Sequence, residues 1–209
     1  MTRKTAPRTA RKSAAKGGAR QRIFRTAAEL FYREGIRAIG VETIAAEANT
    51  TKMTLYRNFP SKDQLVAEWL RAHDAAFWQG WNTMLQRHPD DPRRQLGAAF
   101  ELLAKHVAEP GARGCPMANA AVEITQRSHP ARKVIEAHKA SLRARLRELC
   151  QQAGAAHAAQ LADQLFLLME GAQVSVILGV RGPAKSVGHA ADALIRVHLG
   201  LPAQAQRPR

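Results

Sequence analysis

Residues 41–62 constrain the fold of this 209-residue chain more than any other segment, because they predict two short helices separated by a tight turn. The first short helix has apolar residues at helical spacing, namely Ile44, Ala45 and Ala48. Asn49 follows, and asparagine is one of the few residues other than glycine that adopt the left-handed conformation found after many helices. Thr51 has the hydroxyl of a helix N-cap, so the second short helix is predicted to begin at Lys52.

The second short helix has an apolar pair on one side and polar side chains on the other. Leu55 and Phe59 are spaced i, i+4 and are predicted to pack inward, and Pro60 ends the helix. The residues left at the surface or its rim are Lys52, Thr54, Tyr56, Arg57 and Asn58. Such side chains can bind phosphates and base edges in a DNA major groove, as a helix-turn-helix does. The solvated face of an ordinary helical hairpin has the same composition, so these residue types alone leave both interpretations open.

The block 20–65 resembles the DNA-binding domain of the TetR family of bacterial transcriptional regulators. The matching segments are 20–35, 44–48 and 54–65. The sequence departs from the family pattern at Asn49, where the family usually has glycine, and at Asn58, where it often has histidine or tyrosine. The resemblance implies a three-helix DNA-binding domain over 19–64. The residues that it implies for DNA contact are Glu42, Thr43, Thr51, Lys52, Thr54, Tyr56, Arg57, Asn58 and Lys62.

Positive charge is concentrated at the N-terminal end of the chain. Of the net charge of +15, residues 1–18 contribute +6 and residues 19–62 contribute +4, which leaves only +5 for the other 147 residues. This distribution predicts a polyanionic partner, with DNA favoured over an acidic membrane surface. Residues 1–18 lack hydrophobic periodicity and are predicted to be a disordered basic arm, which either follows DNA phosphates or only solubilises the protein.

Helical periodicity runs through the rest of the chain and predicts an all-α protein. A helix from about Ile23 ends at Gly35, and Ser61 begins a long helix over 62–86. Further helices are predicted at 93–108, 116–126, 130–152, 158–179 and 184–199, the last with Pro183 at its first position. The predicted architecture is a small helix-turn-helix domain at 19–64, a larger helical bundle at 65–200 and a loose tail at 201–209.

The resemblance also implies that the larger bundle binds a small-molecule effector and forms a homodimer. In the family the last two helices, here about 158–179 and 184–199, pair with their copies; burial within one subunit is the alternative. A dimer suits a helix-turn-helix, which reads the two half-sites of a palindromic operator about 34–36 Å apart. Candidates to line an effector pocket are Trp69, Phe77, Trp78, Trp81, Phe100, His106, Cys115, Met117, Asn119 and Phe166. Each of them taken singly is better suited to the core, and sequence spacing does not choose among them.

Cys115 lies in the one chemically unusual loop, 111–119. It precedes Pro116, a suitable first residue of a helix, so the helix dipole and the neighbouring Arg113 would favour its thiolate. Some TetR-type regulators that sense electrophiles or oxidants have a cysteine in a comparable Gly-Cys setting, so the resemblance permits a sensor. Packing is the stronger interpretation for Cys115, and also for Cys150 near the end of a long helix.

Missing patterns exclude several classes of protein. No run of about 18 apolar residues predicts a membrane span, and the N-terminus lacks the apolar stretch of a signal peptide. The eight histidines and two cysteines have no metal or disulfide spacing, which predicts no metal, no cofactor and a reduced, cytoplasmic setting. Ser186, His189 and Asp192 share a helix face, but one rigid helix rarely orients a catalytic triad, so no enzyme is predicted.

Together these features predict a homodimeric repressor that an effector releases from its operator. Two alternatives stay open. The same repressor could be switched by oxidants or electrophiles at Cys115, or the chain could be a constitutive architectural DNA-binding protein whose basic arm supplies the affinity.

Overall fold

The computed structural model describes residues 8–202, so the predictions for residues 1–7 and 203–209 lie outside the described part of the chain. Within it the structure is helical throughout and contains no strand, which confirms the all-α prediction. The helices are α1 (Arg8–Glu34), α2 (Val41–Glu47), α3 (Lys52–Asn58), α4 (Lys62–Leu85), α5 (Pro92–Ala108), α6 (Pro116–Glu123), α7 (Pro130–Gln152), α8 (Ala158–Ile177), α9 (Arg181–Lys185) and α10 (Val187–His198). Not one helix in this range has the length and apolar character needed to cross a bilayer.

The turn between α2 and α3 has the local chemistry that the sequence predicts. Asn49 adopts the left-handed conformation, with φ of 49°. Thr51 caps α3, since its hydroxyl accepts a hydrogen bond from the Thr54 N–H at 3.2 Å. Ser61 caps α4 in the same way, accepting from the Gln64 N–H at 3.1 Å. Short polar side chains therefore set where both helices begin.

The first helix is longer than predicted. α1 begins at Arg8, inside the segment 1–18 that the sequence predicts to be a disordered arm, so the prediction is corrected for residues 8–18. Alanine, arginine and lysine dominate this stretch and are among the strongest helix formers. Extending a helix that is already formed also avoids the cost of a new nucleus.

The helix predicted at 184–199 is divided into α9 and α10 around Ser186. Pro183 lies within the first turn of α9 instead of beginning the last helix, and in a first turn its missing N–H costs no helical hydrogen bond. The Ser186 hydroxyl donates to Gly182 O at 3.3 Å. Such local bonds compete with the regular helix, which gives the division a physical reason.

Two hydrophobic cores hold the elements together. The first joins α1, α2 and α3 to the start of α4, to α6 and to the start of α7; Phe59 and Met117 belong to it. The second joins the end of α4 to α5, α7, α8 and α10, and Trp81 and Phe100 belong to it. Since α4 and α7 contribute to both cores, the N-terminal helices are seated on the larger bundle.

Candidate nucleic-acid interface and interior cavity

Helix α3 is held by its inner side and presents its outer side to solvent. Leu55, and Phe59 directly after the helix, are completely buried. The exposed side chains of α3 are Lys52, Met53, Tyr56 and Arg57. Tyr56 is 42% exposed and Met53 65% exposed. A short helix packed in this way has one side available for the major groove of DNA, which is about 12 Å wide.

The N-terminal end of α3 joins α2 through an ion pair. Lys52 Nζ contacts Glu42 Oε1. This hydrogen bond raises the pKa of Lys52 and lowers the pKa of Glu42. The hydroxyls of Thr51 and Thr54 lie 3.0 Å apart beside it, and Thr43 is exposed on α2. A cation, a carboxylate and several hydroxyls therefore share one patch, and these are groups that contact phosphates and base edges.

Two of the predicted DNA-contact residues are occupied by hydrogen bonds within the protein. The Asn58 Nδ2 donates to Thr54 O at 2.8 Å, within α3. The Lys62 Nζ donates to Ile36 O at 2.6 Å, in the loop between α1 and α2, and burial lowers the pKa of this lysine. Both side chains are partly buried, so they hold the helix and the loop in position.

Two arginines of α1 that are not among the residues predicted for DNA contact support the helix-turn-helix from behind. The guanidinium of Arg20 lies 4.5 Å from the centroid of the Phe59 ring and pairs with Glu68 at 2.6 Å. The Arg22 Nε donates to Ala48 O, at the end of α2, at 3.4 Å. Basic residues on the polar side of an amphipathic helix usually lie in solvent, so their spacing carried no signal of this role.

The larger bundle contains a cavity of about 410 Å³ between α4, α5, α7 and α8. Four of the predicted pocket residues line it, namely Phe77, Trp81, His106 and Cys115. A second cavity of about 340 Å³ shares His106 with the first and extends to Trp69 and to Tyr32 of α1. The predicted aromatic residues of α4 thus lie beside both cavities.

The other predicted pocket residues do not line the 410 Å³ cavity. Phe100 and Met117 are fully buried, one in each core, where they pack against other apolar side chains. The Asn119 Nδ2 donates to Arg113 O at 2.8 Å and closes the loop before α6. Phe166 packs against the second core, and the Trp78 ring centroid lies 5.1 Å from that of Phe77, so both support residues of the cavity wall.

Two histidines that are not among the predicted pocket residues also line the cavity, His73 of α4 and His138 of α7. The Nδ1–H of His138 donates to Asp74 Oδ1 at 2.7 Å, since an ionised carboxylate only accepts. Burial lowers the pKa of His138, and burial is the largest cause that lowers the pKa of His73 to about 4. Burial therefore favours the neutral form of both imidazoles. No group of three residues in the described range is arranged to hold a metal ion.

Cys115 occupies the N-cap position of α6 with Pro116 as the first helical residue, as predicted. The cation beside its thiol is Lys139, whose Nζ lies 3.5 Å from Sγ and 2.5 Å from Glu170 Oε1. The predicted neighbour, Arg113, points away, because its guanidinium donates to a backbone carbonyl of α1. Lys139 is distant in sequence, so only the packing of α6 against α7 brings it to the thiol.

Three hydrogen bonds join the region around α6 to the N-terminal helices, and one of them is the bond from the Arg113 guanidinium to Arg33 O. The Arg113 N–H donates to the Tyr32 hydroxyl at 2.9 Å, which ties the loop before α6 to α1. Glu123, at the end of α6, accepts a hydrogen bond from the Arg37 N–H at 2.7 Å. Since Cys115 lines the cavity, α6 has one end at the cavity wall and the other on the loop between α1 and α2.

Helices α8 and α10 carry apolar side chains that are exposed in the single chain. Leu167 is 69% exposed and Val197 76% exposed. Val174, Ile177 and Leu178 are further exposed residues of α8 and its C-cap. Leu167, Val174 and Leu178 are spaced i, i+7, i+11 and so lie on one side of α8, and an exposed apolar stripe of this kind is typical of a protein–protein interface.

Comparison with known proteins agrees with this geometry. Two family models match the chain: that of bacterial regulatory proteins of the tetR family at residues 23–69, and that of the tetracyclin repressor-like C-terminal domain at residues 92–191. A TetR-family transcriptional regulator from Streptomyces coelicolor is 28% identical, with a TM-score of 0.83 over 88% of this chain and 97% of its own. A TetR-type regulator from Streptomyces avermitilis is also 28% identical, with a TM-score of 0.74 over 86% and 97%.

A transcriptional regulator from Saccharomonospora viridis, solved in complex with choline, has the same fold at 24% identity, with a TM-score of 0.69 over 87% of this chain and 93% of its own. No curated protein matches the chain in sequence.

Proposed function

This chain belongs to the TetR family of bacterial regulatory proteins, and on that premise we propose that it is a repressor which a small molecule releases from its operator. DNA binding and the regulation of transcription come with the family. The observation that carries the proposal is helix α3, which is anchored by buried Leu55 while its basic and aromatic side chains remain exposed. The proposal includes no catalytic step and no cofactor, and it locates the protein in the cytoplasm, with its DNA.

We assign the DNA contacts to the exposed side of α2 and α3. Lys52, Thr54 and Tyr56 are the central candidates, because they offer a cation, a hydroxyl with a methyl group and a phenol. The flanking candidates are Glu42, Thr43, Thr51 and Arg57. Asn58 and Lys62 already donate to backbone carbonyls, so we expect them to position the interface more than to contact DNA.

The homodimer is proposed to form through α8 and α10, and their exposed apolar side chains support this. Leu167→Glu and Val197→Glu each introduce a charge that would lose its water on association, so we expect a monomer in sedimentation velocity. Val122→Glu is the matched control, since Val122 is 80% exposed and belongs to α6, which is not one of the two helices of the proposed interface. Dimers that persist in both variants would rule out this interface.

We propose that the effector binds in the 410 Å³ cavity, which lies within the usual range of about 300–1,000 Å³ for small-molecule sites. Support comes from α6, which reaches from the cavity wall at Cys115 to the Arg37 N–H through Glu123. An effector that binds best when α6 is displaced would favour a state whose two α3 helices no longer fit adjacent grooves. The choline complex of the Saccharomonospora viridis regulator is a case of a small molecule bound by this fold.

Footprinting of the DNA upstream of the chain's own gene, across a salt series, tests the proposal. A discrete protected palindrome is expected. Salt-sensitive binding without a preferred site would contradict it and favour the architectural alternative. Removing residues 1–18, which carry six of the chain's cations, serves as a further comparison: a repressor keeps its preference for operator over random DNA, whereas an architectural protein loses most of its affinity.

A second candidate function is supported by the lysine 3.5 Å from the Cys115 sulfur. Here the repressor is switched by an electrophile: the sulfur bonds to the β-carbon of an unsaturated carbonyl compound, and the thiol proton ends on the α-carbon. N-ethylmaleimide should then release operator from the wild type but not from Cys115→Ser. Cys150→Ser is the control, because burial raises the pKa of the Cys150 thiol to about 11 and keeps it protonated. Release that survives in Cys115→Ser would exclude this switch.

A further inference from the structure

The cavity is large enough for a compact ligand and mostly apolar. At about 30 Å³ for each water molecule, a volume of about 410 Å³ corresponds to about fourteen waters, or one to two fused rings with a substituent. Its apolar wall includes Met84, Leu103, Leu142 and Met169. Phe77 and Trp81 add two rings whose centroids lie 6.1 Å apart at an angle of 28°. A flat aromatic ligand can pack against such rings, offset or edge to face.

The charged side chains of the cavity wall are paired within the protein or reach solvent. The Lys139 ammonium is paired with Glu170 at 2.5 Å, and Lys105 also reaches the wall but is exposed to solvent. The Glu109 carboxylate lies at the rim, 3.7 Å from His106. Burial lowers the pKa of the interior imidazoles of His73 and His138, which favours their neutral forms. A charged ligand would therefore lose its hydration in the cavity without gaining an unpaired interior charge as a partner, which is costly.

Three polar side chains of the wall have hydrogen-bonding capacity to spare, and one of them is Trp81, whose buried indole N–H has no partner in the described chain. His73 and Gln173 line the cavity, and neither forms a side-chain hydrogen bond with another residue of the described chain. A neutral imidazole offers one donor and one acceptor, and the amide of Gln173 offers two donors and an acceptor. A ligand oxygen that both accepts and donates, or a carbonyl that accepts, would satisfy these groups.

We infer that the cavity binds an uncharged, planar aromatic molecule of one or two fused rings, with a hydroxyl or carbonyl group hydrogen-bonded to Gln173 or His73. The inference rests on the proposed function, because it gives the chemical class of the effector in the proposed effector site. It also sets this cavity apart from a site for a cation, since the one carboxylate among the described wall residues, that of Glu109, already has a partner within the protein.

Calorimetric titration of the full chain with four naphthalene probes tests the inference. The probes are 2-naphthol, naphthalene, the anion 2-naphthoate and the cation (2-naphthylmethyl)trimethylammonium. We expect 2-naphthol to bind about tenfold more tightly than naphthalene, since its hydroxyl satisfies polar groups of the cavity wall. We also expect 2-naphthol to bind more tightly than either of the two ions. Tighter binding of either ion, or no binding of 2-naphthol, would overturn the inference.

Two variants test the hydrogen bond separately from the fit of the rings. In Gln173→Leu or His73→Phe, the ratio of affinities for 2-naphthol and naphthalene should fall toward one, whereas Gln160→Leu, exposed on α8, should preserve it. A ratio that neither variant lowers would refute the assigned contact. Operator affinity without probes is measured in parallel, because failure there would contradict the proposed function and failure only with the probes would contradict the ligand class.

Discussion

Glu42→Gln removes the carboxylate that holds Lys52 at the start of α3, and the structure predicts that the variant binds DNA more tightly. Glu42 and Lys52 are both exposed and form their ion pair across the turn between α2 and α3. Exposed pairs contribute little to folding, so the substitution should leave the melting temperature nearly unchanged. At the surface of DNA the same carboxylate repels phosphates and competes with them for the Lys52 ammonium.

The size of the effect follows from counterion release. Each phosphate that a protein cation neutralises steepens the dependence of log K on log salt by about 0.9 on B-DNA. If Lys52, freed from Glu42, neutralises one more phosphate, the slope of the variant is steeper by about 0.9. Its advantage in affinity over the wild type should then shrink about 3.5-fold when salt is raised from about 50 to 200 mM.

Fluorescence anisotropy with a labelled operator, at four salt concentrations, measures both affinity and slope. Glu47→Gln is the matched control, because Glu47 is exposed on the same helix and forms no salt bridge with another described residue. Equal slopes for wild type and Glu42→Gln would refute the argument that the pair competes with phosphate. Weaker binding, with lost preference at one base pair, would instead mean that Glu42 accepts a hydrogen bond from cytosine.

Three further substitutions test other parts of the structure. Tyr56→Ala should weaken operator binding by about 1–3 kcal/mol in the same anisotropy assay, and unchanged affinity would remove Tyr56 from the interface. Gly114→Ala should lower the melting temperature more than Gly111→Ala: both have positive φ, which costs about 1–2 kcal/mol for alanine, but only at Gly114 would a Cβ lie 2.6 Å from Gln173 O. The folded-state pKa of His73 is about 4 against an ordinary 6.5, so the unfolded chain binds the extra proton and the free energy of unfolding should fall between pH 6.5 and 4. Urea titrations of His73→Phe should show a shallower fall; an identical pH profile would assign it to other groups.

The helix-turn-helix could be predicted from the sequence because its signals are local. Asn49 adopts the left-handed conformation just after α2, Thr51 caps α3, and Pro60 lies just beyond the end of α3. Each of these residues lies within a few positions of the helix end that it determines. Local propensity was less reliable where two tendencies compete. The residues from Arg8 to Gly18 have the charge of a disordered arm but also strong helix formers next to an established helix, and they extend α1.

The surroundings of individual side chains could not be predicted, because they depend on contacts between distant segments. The sequence places the basic Lys62 near the interface, but its ammonium donates a hydrogen bond to the Ile36 carbonyl in the loop between α1 and α2. Phe100 and Phe77 are equivalent in type and both lie on amphipathic helices, yet Phe100 is fully buried and Phe77 lines the cavity. The sequence spacing of His73 and His138 does not indicate that they are neighbours, since only the packing of α4 against α7 brings them together.

Under the proposed function, the position of α6 explains how effector binding in the cavity is coupled to DNA binding by α3. A ligand that displaces the wall at Cys115 also displaces the loop before α6, where the Arg113 N–H donates to the Tyr32 hydroxyl. It also displaces α6 itself, where Glu123 accepts a hydrogen bond from the Arg37 N–H. These bonds reach the N-terminal domain at the C-terminal part of α1 and in the following loop, not at α3 itself. Because Leu55 is fixed in the core shared with α1, a displacement applied there carries α3 with it as one body. The residues that contact DNA can therefore differ between operators, because the coupling between effector binding and DNA binding depends on other contacts.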